Sequence, residues 1–187
     1  IKFEINPQKK EIGARKIKFS KTIYIEREDF KEAADDNFFR LKTGGEVRLK
    51  NAYIIKATEV LKDDKGEVVE VFCEYDKKSK SGSNTPESNR KVKGTIHWVS
   101  ATDSVDAKIN IYDRLFKVSE PGKEKDILAD INEDSLHVFE AKVEPHLQKA
   151  KEGEKFQFQR TGYFVRTANK KTLEFNKTVG LRDGWKK

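Results

Sequence analysis

The sequence holds no methionine, a single cysteine (Cys73), four prolines and three histidines in 187 residues. Each shortage excludes something. One cysteine rules out an intrachain disulfide framework and suits a reducing compartment, so a cytoplasmic location is expected. No apolar run approaches the ~18 residues that a spanning helix needs, so no membrane segment is expected. The first ten residues, IKFEINPQKK, lack the apolar stretch of a signal peptide. The missing initiator methionine points to a part or a processed form of a longer chain. The histidines, His97, His137 and His146, have no metal-ligand spacing, and Cys73 has no second cysteine in a C-x-x-C. No G-x-S-x-G, Walker loop or G-x-G-x-x-G occurs.

What is present is aromatic and basic. Twelve Phe, five Tyr and two Trp argue for a packed core. The net charge is +7, and it is uneven: residues 1–146 hold 28 basic and 28 acidic side chains, whereas 147–187 hold 11 and 4. A one-signed excess in one segment suits a polyanionic partner, and it also suits a plain solvated face.

Apolar residues recur with a period of two. The runs are 17–25, 47–57 (Val47, Leu49, Tyr53 and Ile55 on one side), 69–75, 92–98, 109–111, 135–143, 156–159 and 173–181. Many short strands mean a mainly β fold, a sandwich or barrels. Asp63-Asp64-Lys65-Gly66 predicts a hairpin. Glu28 to Leu41 carries near-helical apolar spacing, which predicts about two helical turns. Lys77 to Asn89 is polar and Ser-rich and is expected to be a mobile loop. Cys73 falls on an apolar stripe, which predicts a buried, inert thiol.

Arg48 and Lys50 stand two apart, on one face of the expected strand, where two cations can hold a phosphate or a base edge. Gln157 and Gln159 share a face in the same way, followed by Arg160, with Tyr163 and Phe164 near for stacking. On base rates, the commoner reading of each set is an ordinary solvent face of a half-buried strand.

Five stretches in order go further: EVRLKNAYIIK (46–56), RKVKGTIHWVS (90–100), IYDRLF (111–116), FQFQRTGYF (156–164) and FNKTVGLRDGW (175–185). Together they resemble the C-terminal anticodon-binding region of bacterial glutaminyl-tRNA synthetases, over nearly the whole chain. The resemblance implies two β-barrels, one inserted in the other, with short helical segments. Residues 1–28 and 105–187 would form the proximal barrel, and 29–104 the distal one.

It implies an unstacked anticodon whose bases enter separate pockets. Arg48 and Lys50 match the first-base pocket, with Lys50 where some relatives carry arginine. Arg40 matches the third-base pocket. Gln157 matches the middle-base pocket, with Gln159 in place of the family's acidic residue, and Arg160 and Arg182 match basic positions beside it. The implied partners are the tRNA(Gln) anticodon loop and the protein's own N-terminal catalytic domain, in a monomer. ATP and Mg²⁺ would serve that catalytic domain, with no cofactor in these residues. HIGH is absent, and KKSKS (77–81) lies in the Ser-rich loop with no nucleotide-binding βαβ before it. The barrels of a glutamyl-tRNA synthetase, or a stand-alone ribosomal-RNA-binding barrel, are the alternatives.

Overall fold

The computed structural model describes residues 1–123 and 126–181. The fold is mainly β, with one α-helix, α1 (Pro86–Asn89), and several short 3₁₀ turns among the described residues. The chain divides into two units, Ile1–Asp103 and Ser104–Lys187.

The first unit contains β1 (Lys2–Glu4), β2 (Ala14–Lys16), β3 (Ile23–Tyr24), β4 (Phe30–Lys31), β5 (Leu41–Lys42), β6 (Glu46–Leu49), β7 (Ile54–Lys62), β8 (Val68–Tyr75), β9 (Thr95–Ile96) and β10 (Val99–Ser100). Its main sheet has the order β8-β7-β6-β9, and three two-stranded ladders join β1 to β2, β3 to β10 and β4 to β5. The predicted hairpin at Asp63–Gly66 joins β7 to β8. Gly66 lies at φ 82, and the Asp63 carboxylate accepts the amides of Lys65 and Glu67.

Alternation in β6 buries Val47 and Leu49 with Phe3, Ile17, Leu41, Ala52, Ile96 and Trp98. Among the described residues, Trp98 is the largest buried side chain, and it takes the Phe19 ring edge-on at 5.3 Å. Residues 1–28, expected with 105–187, instead group with the first unit. The reason is physical: Phe3 and Ile17 complete its core, and β3 pairs with β10. The strand predicted over 17–25 is reduced to β3.

The second unit contains β11 (Val105–Tyr112), β12 (Leu136–Val143), β13 (Lys155–Phe158), β14 (Gly162–Arg166) and β15 (Glu174–Val179), in the order β12-β11-β15-β14-β13. The β11–β15 pair is parallel and the others antiparallel. Its separate core joins Ala107, Ile109, Val143, Phe164 and Phe175. Phe158 stacks on Phe164 at 4.3 Å and meets Phe175 at 5.4 Å. Burying each such ring contributes about 1.5–3 kcal/mol.

Two predicted elements differ. Glu28–Leu41 is not a helix: a 3₁₀ turn (Arg27–Asp29), β4 and a run of turns replace it. Asp35 draws the chain out of helical geometry by accepting the Asn37 amide at 2.9 Å. Residues 47–57 are not one strand, because the chain reverses at Lys50–Asn51. There the Leu49 amide donates to the Tyr53 carbonyl and Asn51 sits at φ 56.

Candidate nucleic-acid interface

The first group of candidate residues is built around β6 and its turn. Asn51 tolerates the left-handed conformation that a tight reversal needs. The turn is also held from outside. The Lys50 amide donates to the Ile96 carbonyl at 2.9 Å, and the Trp98 indole donates to the Lys50 carbonyl at 3.0 Å. Lys50 thus stands beyond the strand end, half-buried. Its ammonium has no hydrogen bond or ion pair among the described residues.

Arg48 has a different setting. Its Nη1 donates to the Ser79 carbonyl at 2.9 Å and to Ser81 Oγ at 3.4 Å. Its Nη2 donates to the carbonyls of Ser88 (2.9 Å) and Arg90 (3.1 Å). Three of these acceptors belong to the Ser-rich segment that composition reads as mobile, and the fourth, the Arg90 carbonyl, directly follows it. The segment is instead a folded loop. Ser79 is fully buried, donating to the Asp76 carbonyl and accepting the Ile54 amide, both at 2.7 Å. Ser81 Oγ donates to the Ala52 carbonyl, and Thr85 caps α1 while donating to the Lys78 carbonyl at 2.6 Å. Short hydroxyl side chains satisfy backbone groups locally, which is why a polar sequence folds here. At the loop's end Arg90 pairs with Glu46 at 2.5 Å, a bond that raises the guanidinium above its ordinary pKa.

Arg40 lies where the helix was expected. Its Nη1 donates to the Glu28 carbonyl at 2.9 Å, and its Nε lies 3.4 Å from Asp29 Oδ1. Asp29 is 1% exposed and Arg40 38%, so a buried carboxylate orients a solvent-reaching cation. Arg40 lines an open cleft of about 440 Å³ with Phe38, Phe39, Lys42, Lys91 and Lys93. That volume is in the range of small-ligand clefts, roughly 300–1,000 Å³. The Lys93 ammonium lies 5.3 Å from the centre of the exposed Phe39 ring. Gly94 forms the cleft wall because a Cβ there would meet the Phe39 carbonyl at 2.0 Å. Sequence reasoning missed Phe38, Phe39, Lys91 and Lys93. The available signal was a pair of adjacent aromatics directly before an arginine.

The second group lies in the second unit. Gln157 is exposed on β13, paired across the ladder with Tyr163, which pairs in turn with Val179. Phe156 and Phe158 face the core, as alternation predicts. β13 ends at Phe158, however, so Gln159 and Arg160 occupy a turn rather than the strand face shared with Gln157. The Thr161 amide donates to the Phe158 carbonyl at 3.0 Å, and Arg160 sits at φ 67. Arg182 lies outside the described residues. Nearby in the sheet, Asn110 and Asn169 donate to the Glu174 carboxylate, both at 2.6 Å, and hold it below its ordinary pKa.

The candidates therefore form aromatic-and-amide or aromatic-and-cation sets on a β frame, a combination suited to unstacked bases. Two family models described as "tRNA synthetases class I (E and Q), anti-codon binding domain" match residues 1–76 and 95–167. The chain belongs to this family.

Its curated relatives agree. This anticodon-binding chain is similar to the glutamine–tRNA ligase of Cronobacter sakazakii, with 49% identity over 97% of the chain and 33% of the ligase. The glutamine–tRNA ligases of Pseudoalteromonas atlantica and Escherichia coli O157:H7 match with 50% and 47% identity over the same shares. The chain thus spans about a third of the length of the relatives it matches.

Among the described residues no group of three His, Cys, Asp or Glu is placed to hold a metal ion, and no helix is long and apolar enough to cross a membrane. Cys73 differs from expectation, since it is exposed on β8. Desolvation of its sulfur by the packed sheet still pushes the thiol up to about 11, so it is protonated and weakly nucleophilic at neutral pH.

Proposed function

We propose that the chain reads the anticodon of tRNA(Gln) for a glutaminyl-tRNA synthetase, through two β-barrel units. The catalytic domain of that enzyme, using ATP and Mg²⁺, would attach glutamine, and this chain would supply specificity as part of a cytoplasmic monomer. The observation that carries the reading is the Arg40 cleft. Asp29 and the Glu28 carbonyl orient the guanidinium, and Phe39 offers a ring beside it. A guanidinium fixed at one edge presents its remaining N–H groups to a base, and the ring supplies stacking. Arg40 is assigned to the third anticodon base, Lys50 to the first, and Gln157, with Gln159, Arg160 and Arg182, to the middle one.

The test is filter binding of the full-length synthetase to tRNA(Gln) and to anticodon-substituted tRNAs. Arg40→Ala is expected to lose about 1–3 kcal/mol of discrimination at one anticodon position and little elsewhere. Equal binding of all anticodon variants by the unaltered protein would reject the reading. Charging of tRNA(Glu) with glutamate by the full-length protein would move it to the glutamyl enzyme.

A further inference from the structure

Loop 77–90 has no role in the base pockets as assigned above, yet it is both well built and strongly basic. Lys77, Lys78 and Lys80 project from it, all exposed, and none of their ammonium groups has a hydrogen bond or ion pair among the described residues. The one acidic side chain in the loop is Glu87. Three unpaired ammonium groups on a frame held by Ser79, Ser81 and Thr85 differ from three lysines on a mobile segment, because the frame is already ordered before any partner arrives. Binding then avoids the entropic cost of ordering the loop backbone.

The frame closes on Arg48. Both of its terminal nitrogens point into the loop and donate to four oxygens there. A bidentate contact with a base edge needs two N–H groups, and with the four on these nitrogens engaged in the loop only Nε–H is left. Three exposed ammonium groups in a row, as compact point charges, match successive phosphate oxygens without needing a planar fork.

We propose that loop 77–90 is a preformed clasp for the RNA phosphate backbone, and that Arg48 is a positioning residue that holds the clasp in shape and does not itself read a base. This rests on the anticodon-binding reading. The experiment measures binding of the full-length synthetase to tRNA(Gln) and to an anticodon-substituted tRNA across a salt series.

With Lys77, Lys78 and Lys80 all changed to Ala, the slope of log K against log salt should flatten by about 2, at ~0.7 per single-strand phosphate. Both tRNAs should then bind roughly a hundredfold more weakly at ~0.1 M salt, with their ratio unchanged. Arg48→Lys should give the same uniform loss together with new tryptic cleavage after Lys77, Lys78 or Lys80, since one ammonium cannot span four acceptors. An unaltered slope in the triple variant overturns the proposal. So does an Arg48→Lys protein that loses discrimination at one anticodon position while its loop stays uncut. If the unaltered protein already fails to distinguish the two tRNAs, the anticodon reading falls instead.

Discussion

Lys50–Asn51 and Gln159–Arg160 are both hairpin tips, and each places a non-glycine residue in the left-handed region, at φ 56 and φ 67. Both carry residues assigned to bases. Their support differs. The first tip is gripped by other segments: Ile96 and Trp98 bond to Lys50, and the Asn51 amide side chain donates to the Lys2 carbonyl at 3.3 Å. In the second, the Thr161 amide donates to the Phe158 carbonyl, with Thr161 Oγ1 reaching the Gln159 carbonyl at 3.4 Å. The first turn is thus bonded from distant segments, and the second across its own span. A lysine, whose stem is flexible, gains most from a fixed backbone. Gln157 already stands on a strand and needs less from its tip.

The largest test of that contrast is Trp98→Ala. It empties the first core and frees the Lys50 carbonyl, and should destabilise the first unit by about 3–5 kcal/mol. Amide exchange should quicken across β6 and β9 and stay slow in β14 and β15, whose core does not include Trp98. Comparable loss of protection in both units would break the comparison.

Next in size is the pair Asn51→Ala and Thr161→Ala. The first loses a side chain suited to left-handed geometry and its bond to Lys2, and should cost about 1–2 kcal/mol in urea unfolding. The second loses one long hydroxyl bond to the Gln159 carbonyl and should stay within about 0.5 kcal/mol. A Thr161→Ala cost as large as that of Asn51→Ala would show that the second tip leans as heavily on its side-chain bond.

The smallest effect is one of pH. Glu174 is held below its ordinary pKa first by Asn110 and then by Asn169. A depressed carboxylate contributes stability that is fully present above the unfolded value, near 4.5, and is lost as pH falls through the lower folded value. Glu174→Gln should therefore flatten the acid limb of the stability curve of the second unit below about pH 4.5 and leave the first unit's unchanged. An acid limb identical to that of the unaltered protein would remove the role.

The sequence showed the mainly β class and the hairpin at Asp63–Gly66 because alternation and Asp-Gly chemistry are local. It also showed which residue types to watch, through the five stretches shared with the synthetases. It misread three segments for related reasons. Residues 28–41 have helical spacing, but Asp29 is buried beside Arg40, eleven positions away, and Asp35 makes an Asx turn. Residues 47–57 keep a period of two through Lys50–Asn51, because a two-residue reversal preserves the alternation; Asn51 was the signal passed over. Residues 77–89 look mobile by composition, yet one arginine from β6 supplies donors to loop oxygens that no local pattern announces. The cleft by Arg40 was half legible: the cation was named, and its aromatic and lysine neighbours come from segments brought together only by folding.

The parallel pairing of β11 with β15 bears on the order in which the second unit can be made. β11 finds its antiparallel partner β12 within the next thirty-odd positions, but its other neighbour is β15, far later in the chain, with Lys108 beside Glu174 and Asn110 beside Asn176. On a ribosome the β11–β12 hairpin can therefore close while β15 is still unmade. Until then one side of β11 lacks its ladder, and the Asn110 amide has neither Glu174 nor Asn176 to receive it. The middle of this sheet is sealed only once residues 174–179 have emerged, so a nascent chain halted before residue 174 would leave one edge of β11 open inside what becomes the sheet.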